Sequence, residues 1–148
     1  MAYTGVQNKV FGDPATHEYQ VAAAVTPAYL LEVTSAGKVQ HHSTAGGMVV
    51  PIIVALENQL VGDTISDASG ASDFIPVWCP RRGDIAIMAI KASENIAVGD
   101  LLESAGDGTL RERVSDTSAA TIALSSIVGK ALDATNTASI VNIRVLIV

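Results

Sequence analysis

Turn-forming residues punctuate this chain about every eight to twelve positions, and that spacing constrains its fold more than any other feature. Gly12-Asp13-Pro14, Thr34-Ser35-Ala36-Gly37, Pro80–Asp84, Gly99-Asp100 and Ala105–Gly108 bound short runs of Val, Ile and Leu. Such runs suit strands and are too short for amphipathic helices of roughly ten residues or more. No long amphipathic helix and no repeat is found. The expected fold class is all-β, a small β-sandwich or barrel-like domain.

The individual runs sharpen this. "YLLEVTSAGKVQHHS" predicts a strand over Tyr29–Val33, a turn, and a strand over Lys38–Ser43. "GGMVVPIIVALE" (46–57) is broken by Pro51, which cannot donate to a central ladder, so it reads as an edge strand, a bulge or two short strands. Residues 61–73 are polar and turn-rich. "FIPVWCPRRGDIAIMAI" (74–90) predicts two strands around the turn at Pro80–Asp84. In its second half, Ile85, Ile87 and Ala89 alternate with Ala86, Met88 and Ile90, so both faces are apolar and the strand is sandwiched between layers or subunits. Asp107-Gly108 predicts a hairpin of type I′. "TIALSSIVGKALDA" (121–134) is ambiguous between helix and strand. "SIVNIRVLIV" (139–148) is the clearest strand, with Val141, Ile143, Val145 and Ile147 on one face.

Residues 1–26 differ from the rest. Tyr3, Val6, Val10, Phe11 and Tyr19 are scattered on a polar strip with no sustained period. The division expected is an extended N-terminal arm, 1–26, and a β-rich domain, 27–148. The five apolar and aromatic side chains of the arm are the candidate partner-binding residues.

Charged residues make up 16% of the chain and aromatics 4%, so few charges are available to cover its outside. That favours hiding surface in an assembly. The net charge of −6, with no Lys/Arg stripe, argues against a nucleic-acid partner. The longest apolar runs are about half of a membrane span, so no membrane partner is expected. No basic region followed by an apolar one opens the chain, and no signal peptide is expected. A single cysteine, Cys79, excludes an intrachain disulfide.

None of the chemistry-bearing motifs assembles a site. "GDLLESAGDGTL" (99–110) lacks the lysine of a phosphate loop and the alternate acids and closing glutamate of an EF-hand calcium loop, so it reads as a strand connection. Arg82-Gly83-Asp84 spells a receptor-binding tripeptide but is more simply a turn. His41 and His42 are adjacent, so on a strand they cannot share a metal ion, and they read as exposed residues. No GxSxG occurs. Cys79 beside Trp78 reads as a small core residue. The acidic residues sit almost wholly in turns, where solvation accounts for them. No cofactor is expected, and the chain is not expected to be an enzyme.

"ALENQLVGDTISDASGASDFIPVWCPRRGDIAIMAI", then "NIAVGDLLESAGDGTL" and a closing "IRVLIV", resembles the head decoration (cement) proteins of tailed bacteriophages. The resemblance covers roughly residues 48–148 and rests on the order of Leu56-Glu57-Asn58, Gly62–Ile65, Trp78–Asp84, Val98-Gly99-Asp100 and Asp107-Gly108. It implies a structural virion protein without a catalytic centre. Such a protein binds the outer surface of an assembled capsid as a homotrimer and staples neighbouring major capsid protein subunits. It would occupy the host cytoplasm during assembly. The alternatives are a phage tail, fibre or glycan-binding β-module, or a small phage hydrolase using a carboxylate pair.

Overall fold

The structure is a computed structural model that describes residues 9–11, 16–113 and 124–148. It is all-β. The strands are β1 (Lys9–Phe11), β2 (Thr16–Gln20), β3 (Leu30–Val33), β4 (Val39–His41), β5 (Ile53–Ala55), β6 (Phe74–Trp78) and β7 (Ile85–Ile90). They continue with β8 (Asn95–Ile96), β9 (Leu101–Ser104), β10 (Leu110–Glu112), β11 (Ile127–Ala131), β12 (Thr135–Asn136) and β13 (Val141–Ile147). One 3-10 turn, Leu124–Ser126, leads into β11.

Five of these strands close into a barrel. β7, β10, β9, β11 and β13 pair in that order, and β13 returns to β7 along a ladder from Val141↔Ile90 to Leu146↔Ile85. On its other side β7 meets β10 at a single parallel pair, Leu110↔Ile90, and carries β1 beside Ile85 and Ala86. Period-two alternation sends Ala86, Met88 and Ile90 of β7 and Ile143, Val145 and Ile147 of β13 into one core, where Leu102, Leu110 and Val128 join them. The other face of β7 is also covered, since Ile87 packs on Ala28 and Ile65. Two buried faces account for the unbroken apolar run expected there. β11 passes β13 so closely that a Cβ on Gly129 would lie 2.4 Å from the Leu146 carbonyl oxygen, which only glycine permits.

The other sheet runs β2-β6-β5-β3-β4. It curls until its two edges meet at a parallel bridge, Val21↔Val39, where Ala22 N–H donates to Val39 O at 2.8 Å. Val21, Leu31, Val39, Ile53, Ala55, Ile75 and Val77 fill its concave side, with Tyr19 and Cys79 packed against them. The alternate residues Leu30, Val54 and Trp78 point the other way and enter the core of the closed barrel. The two units share a wall, and the fully buried Trp78 is its largest side chain.

The two strands expected around Pro80–Asp84 are present as β6 and β7, β6 in the curled sheet and β7 in the closed barrel. Other local expectations are corrected. The segment around Pro51 is neither an edge strand nor two strands: β5 begins at Ile53 and is central, while Pro51 stays outside the ladder. Residues 127–131 are strand, as β-branched Ile127 and Val128 favour. Within the expected arm, Thr16–Gln20 pairs along its length with β6, and Val21 and Val25 are buried, so these residues are woven into the curled sheet.

Candidate functional site

The glycine-rich stretch joins β9 to β10, as the sequence suggested, but through a five-residue loop, Ala105–Thr109, rather than a two-residue type I′ turn. Positive φ falls on Gly106 and Gly108, with Asp107 between them in an ordinary conformation. The Asp107 carboxylate accepts from Thr109 N–H at 3.0 Å, and this bond, with that of the Thr109 hydroxyl, holds it below its ordinary pKa despite burial. The N–H groups of Ala105, Gly106, Gly108 and Thr109 are all engaged inside the protein, so they do not converge on an anion. Gly108 also rivets the two units together. Its carbonyl accepts from Leu30 N–H at 2.7 Å, and its N–H donates to His42 O at 3.2 Å. A Cβ there would lie 2.9 Å from both the Tyr29 and His41 rings.

The acidic residues have a shared structural task. Asp67, Asp73, Asp84 and Asp100 each accept a hydrogen bond from the backbone N–H three residues upstream, at 2.7–2.8 Å. Each closes a turn in this way. Asp84, the acid of the Arg-Gly-Asp tripeptide, is buried, so its carboxylate is not displayed to a receptor. Glu103 holds Arg111 at 2.7 Å and Asp133 holds Arg144 at 2.6 Å. Among the described residues, no group of three or more His, Cys, Asp or Glu stands together to bind a metal.

The adjacent histidines do meet different neighbours, but neither is exposed, and the expectation of surface residues is corrected. His41 stacks on Tyr29 with ring centroids 4.7 Å apart, and its Nε2 accepts from Thr26 N–H at 3.3 Å. Burial lowers its pKa, partly offset by Asp107. Burial raises that of Tyr29. His42 is buried between the two units. One ring nitrogen meets Ser104 Oγ at 2.8 Å, and Nε2–H donates to Met48 O at 2.9 Å. The Cys79 thiol is half-buried, and burial raises its pKa, so thiolate chemistry is disfavoured.

The candidate partner-binding residues divide. Tyr3 and Val6 lie outside the described residues. Val10 and Phe11 lie on β1, whose backbone pairs with β7 of the same chain. Tyr19 is half-buried against the core of the curled sheet. The structure brings forward a different set of exposed apolar side chains: Val33, Met48, Val50, Leu60, Val61, Phe74, Val98 and Ile140. Leu60, at the tip of the turn after Asn58, is 98% exposed. Met48 and Val50 stand on the apolar stretch upstream of Pro51. A proline that ends a ladder was the available signal that this stretch would be left without strand partners.

The class of protein so defined is a two-unit β-module, a closed barrel sharing a wall with a curled sheet. Its turn-closing aspartates, Glu103, Asp133, His41 and His42 are tied into structure, and eight large apolar side chains are exposed among the described residues. No protein-family model matches the chain, and no curated protein matches it. Among solved structures, its fold is similar to that of the head fibre gp8.5 N base of bacteriophage phi29. The TM-score is 0.52 and the identity 15%, over 88% of this chain and 92% of that one.

Proposed function

We propose that the chain is a structural component of a phage virion that binds the outer surface of the head as a homotrimer and staples neighbouring major capsid protein subunits. One observation carries the reading: a fold similar to a phage head-fibre base across nearly the whole of both chains. The tied-down carboxylates and histidines are consistent with a role through contact rather than turnover. A trimer presents about three equivalent footprints, and weak contacts multiplied in this way give high avidity. The arm, residues 1–26, supplies part of each footprint through Tyr3, Val6, Val10 and Phe11.

Heads lacking this protein, mixed with the purified chain and pelleted, should carry it down saturably. Sedimentation velocity of the free protein should give about three times 15.3 kDa. Deleting residues 2–12 should weaken retention on heads. Protein that stays in the supernatant overturns the reading, a monomer at micromolar concentration removes the trimer, and unchanged retention removes the arm.

A further inference from the structure

The curled sheet contains a gap in its own plane. β3 bonds to β4 through its even-numbered residues: Leu30 O accepts from His42 N–H at 3.0 Å, and Thr34 N–H donates to Lys38 O at 2.7 Å. Its odd-numbered residues therefore direct N–H and C=O toward β5. Leu31 meets Ile53 there, and the next such residue, Val33, would meet position 51. That position is Pro51, which has no N–H, and the β3–β5 ladder stops at Leu31↔Ile53. Between Val33 and the stretch 48–51 lies a slot of about 220 Å³. It is lined from both faces of the sheet, by Leu31, Val33 and Ile53 on one side and by Glu32, His42 and Val49 on the other. A pocket walled by one face would be a hollow against the sheet; lining from both faces marks a break in the ladder.

We propose that this slot receives an extended peptide segment of a shell protein, apolar at alternate positions and carrying Lys or Arg where it passes Glu32. The backbone of Val33 supplies the donor and acceptor for strand addition. The lips are apolar, with Val33, Met48 and Val50 exposed at 47%, 70% and 65%. The volume falls below the roughly 300 Å³ at which small-molecule pockets begin. Charge selects the occupant. Glu32 Oε1 accepts from Gln40 and Ser43, both at 2.8 Å, the Ser43 backbone N–H adds a further hydrogen bond to the carboxylate, and His42 Nε2 lies 4.0 Å from Oε2. Among the described residues no Lys or Arg lines the slot, and the chain carries −6 overall, so a cation on the incoming segment is favoured. His42 fixes the far lip through Met48 O and ties it to Ser104 of the closed barrel. That the segment belongs to a shell protein rests on the virion reading above; its chemistry rests on the slot.

The test uses the whole protein and short fluorescein-labelled peptides alternating valine and threonine, with arginine or glutamate at the centre. A third peptide repeats the arginine version with alternate backbone nitrogens methylated. By fluorescence anisotropy, the arginine peptide should bind about tenfold more tightly than the glutamate peptide. The Val33 amide resonance should shift, and the methylated peptide should not bind. Glu32→Gln should erase the preference, and the exposed Val50→Asp should weaken every peptide. An arginine peptide that fails to bind, binds no better than the glutamate one, or leaves the Val33 amide unmoved overturns the proposal. Pelleting with heads separates the two readings. If wild type and Val50→Asp pellet alike, the slot falls and the virion reading stands. If peptides bind but heads are ignored, the virion reading falls and the shell-protein origin of the segment with it, while the slot's preference for a cationic strand stands.

Discussion

The two units are built from the same kind of short, alternating strand, yet they close differently. The barrel of β7, β10, β9, β11 and β13 is sealed by a ladder of six residue pairs between β7 and β13. The curled sheet is held shut by one bridge, Val21↔Val39, and is open again where β5 leaves β3 at Pro51. The six-pair ladder engages the backbone donors that β7 and β13 turn toward each other. Closure by a bridge leaves some such donors of the curled sheet facing solvent. The difference separates a part of the molecule that stabilises from a part that can take up a partner strand.

The largest test strikes the wall the two units share. Trp78→Ala should cost about 4 kcal/mol in urea unfolding, as removal of a buried aromatic does, and should lower both units in one transition. Two separate transitions would show that the curled sheet stands or falls alone. A second test targets the sealed seam. Gly129→Ala places a Cβ against the Leu146 carbonyl and should cost about 2 kcal/mol. A cost below about 0.5 kcal/mol would mean that β11 and β13 can part without penalty.

The smallest effect is expected from acid, acting where the units meet. His41 accepts from Thr26 N–H through Nε2, so its proton must displace that bond. Burial lowers its pKa in the folded state. The unfolded chain therefore takes up the proton first. The stability this group contributes is complete above the ordinary value of about 6.5 and is lost as pH falls toward the lower folded value. Urea midpoints should fall between about pH 7.5 and 5.5, and His41→Gln should flatten that fall. An unchanged slope in the variant would assign the loss to other groups. Glu32 and Asp107 act in the same direction at lower pH. Burial opposes their ionisation, but hydrogen bonds outweigh it and hold both pKa values down.

Some of this was legible in particular residues. Alternation in Ile85–Ile90 announced a strand buried on both faces, and alternation in Val141–Ile147 announced the face that fills the barrel. The turn at Asp107-Gly108 was legible as a turn, but its length was not, because Asp-Gly marks where a chain reverses without counting the residues around it. The adjacent histidines were misread as exposed because burial of a polar ring depends on partners distant in sequence. His42 is satisfied by Ser104, 62 residues away. The exposed stretch at Met48–Val50 was hidden by its own hydrophobicity, since an apolar run does not state whether a strand will cover it.

The amino-acid sequence by itself determined that this chain is all-β, where most of its strands and turns lie, and which strand faces are apolar, because side-chain alternation and turn chemistry act over a few residues. Only the tertiary structure decided which strands share a sheet, that one unit seals and the other stays partly open, and that the carboxylates and histidines serve as rivets. Those outcomes depend on hydrogen bonds and packing between residues far apart in the chain, and local sequence carries no record of such distances.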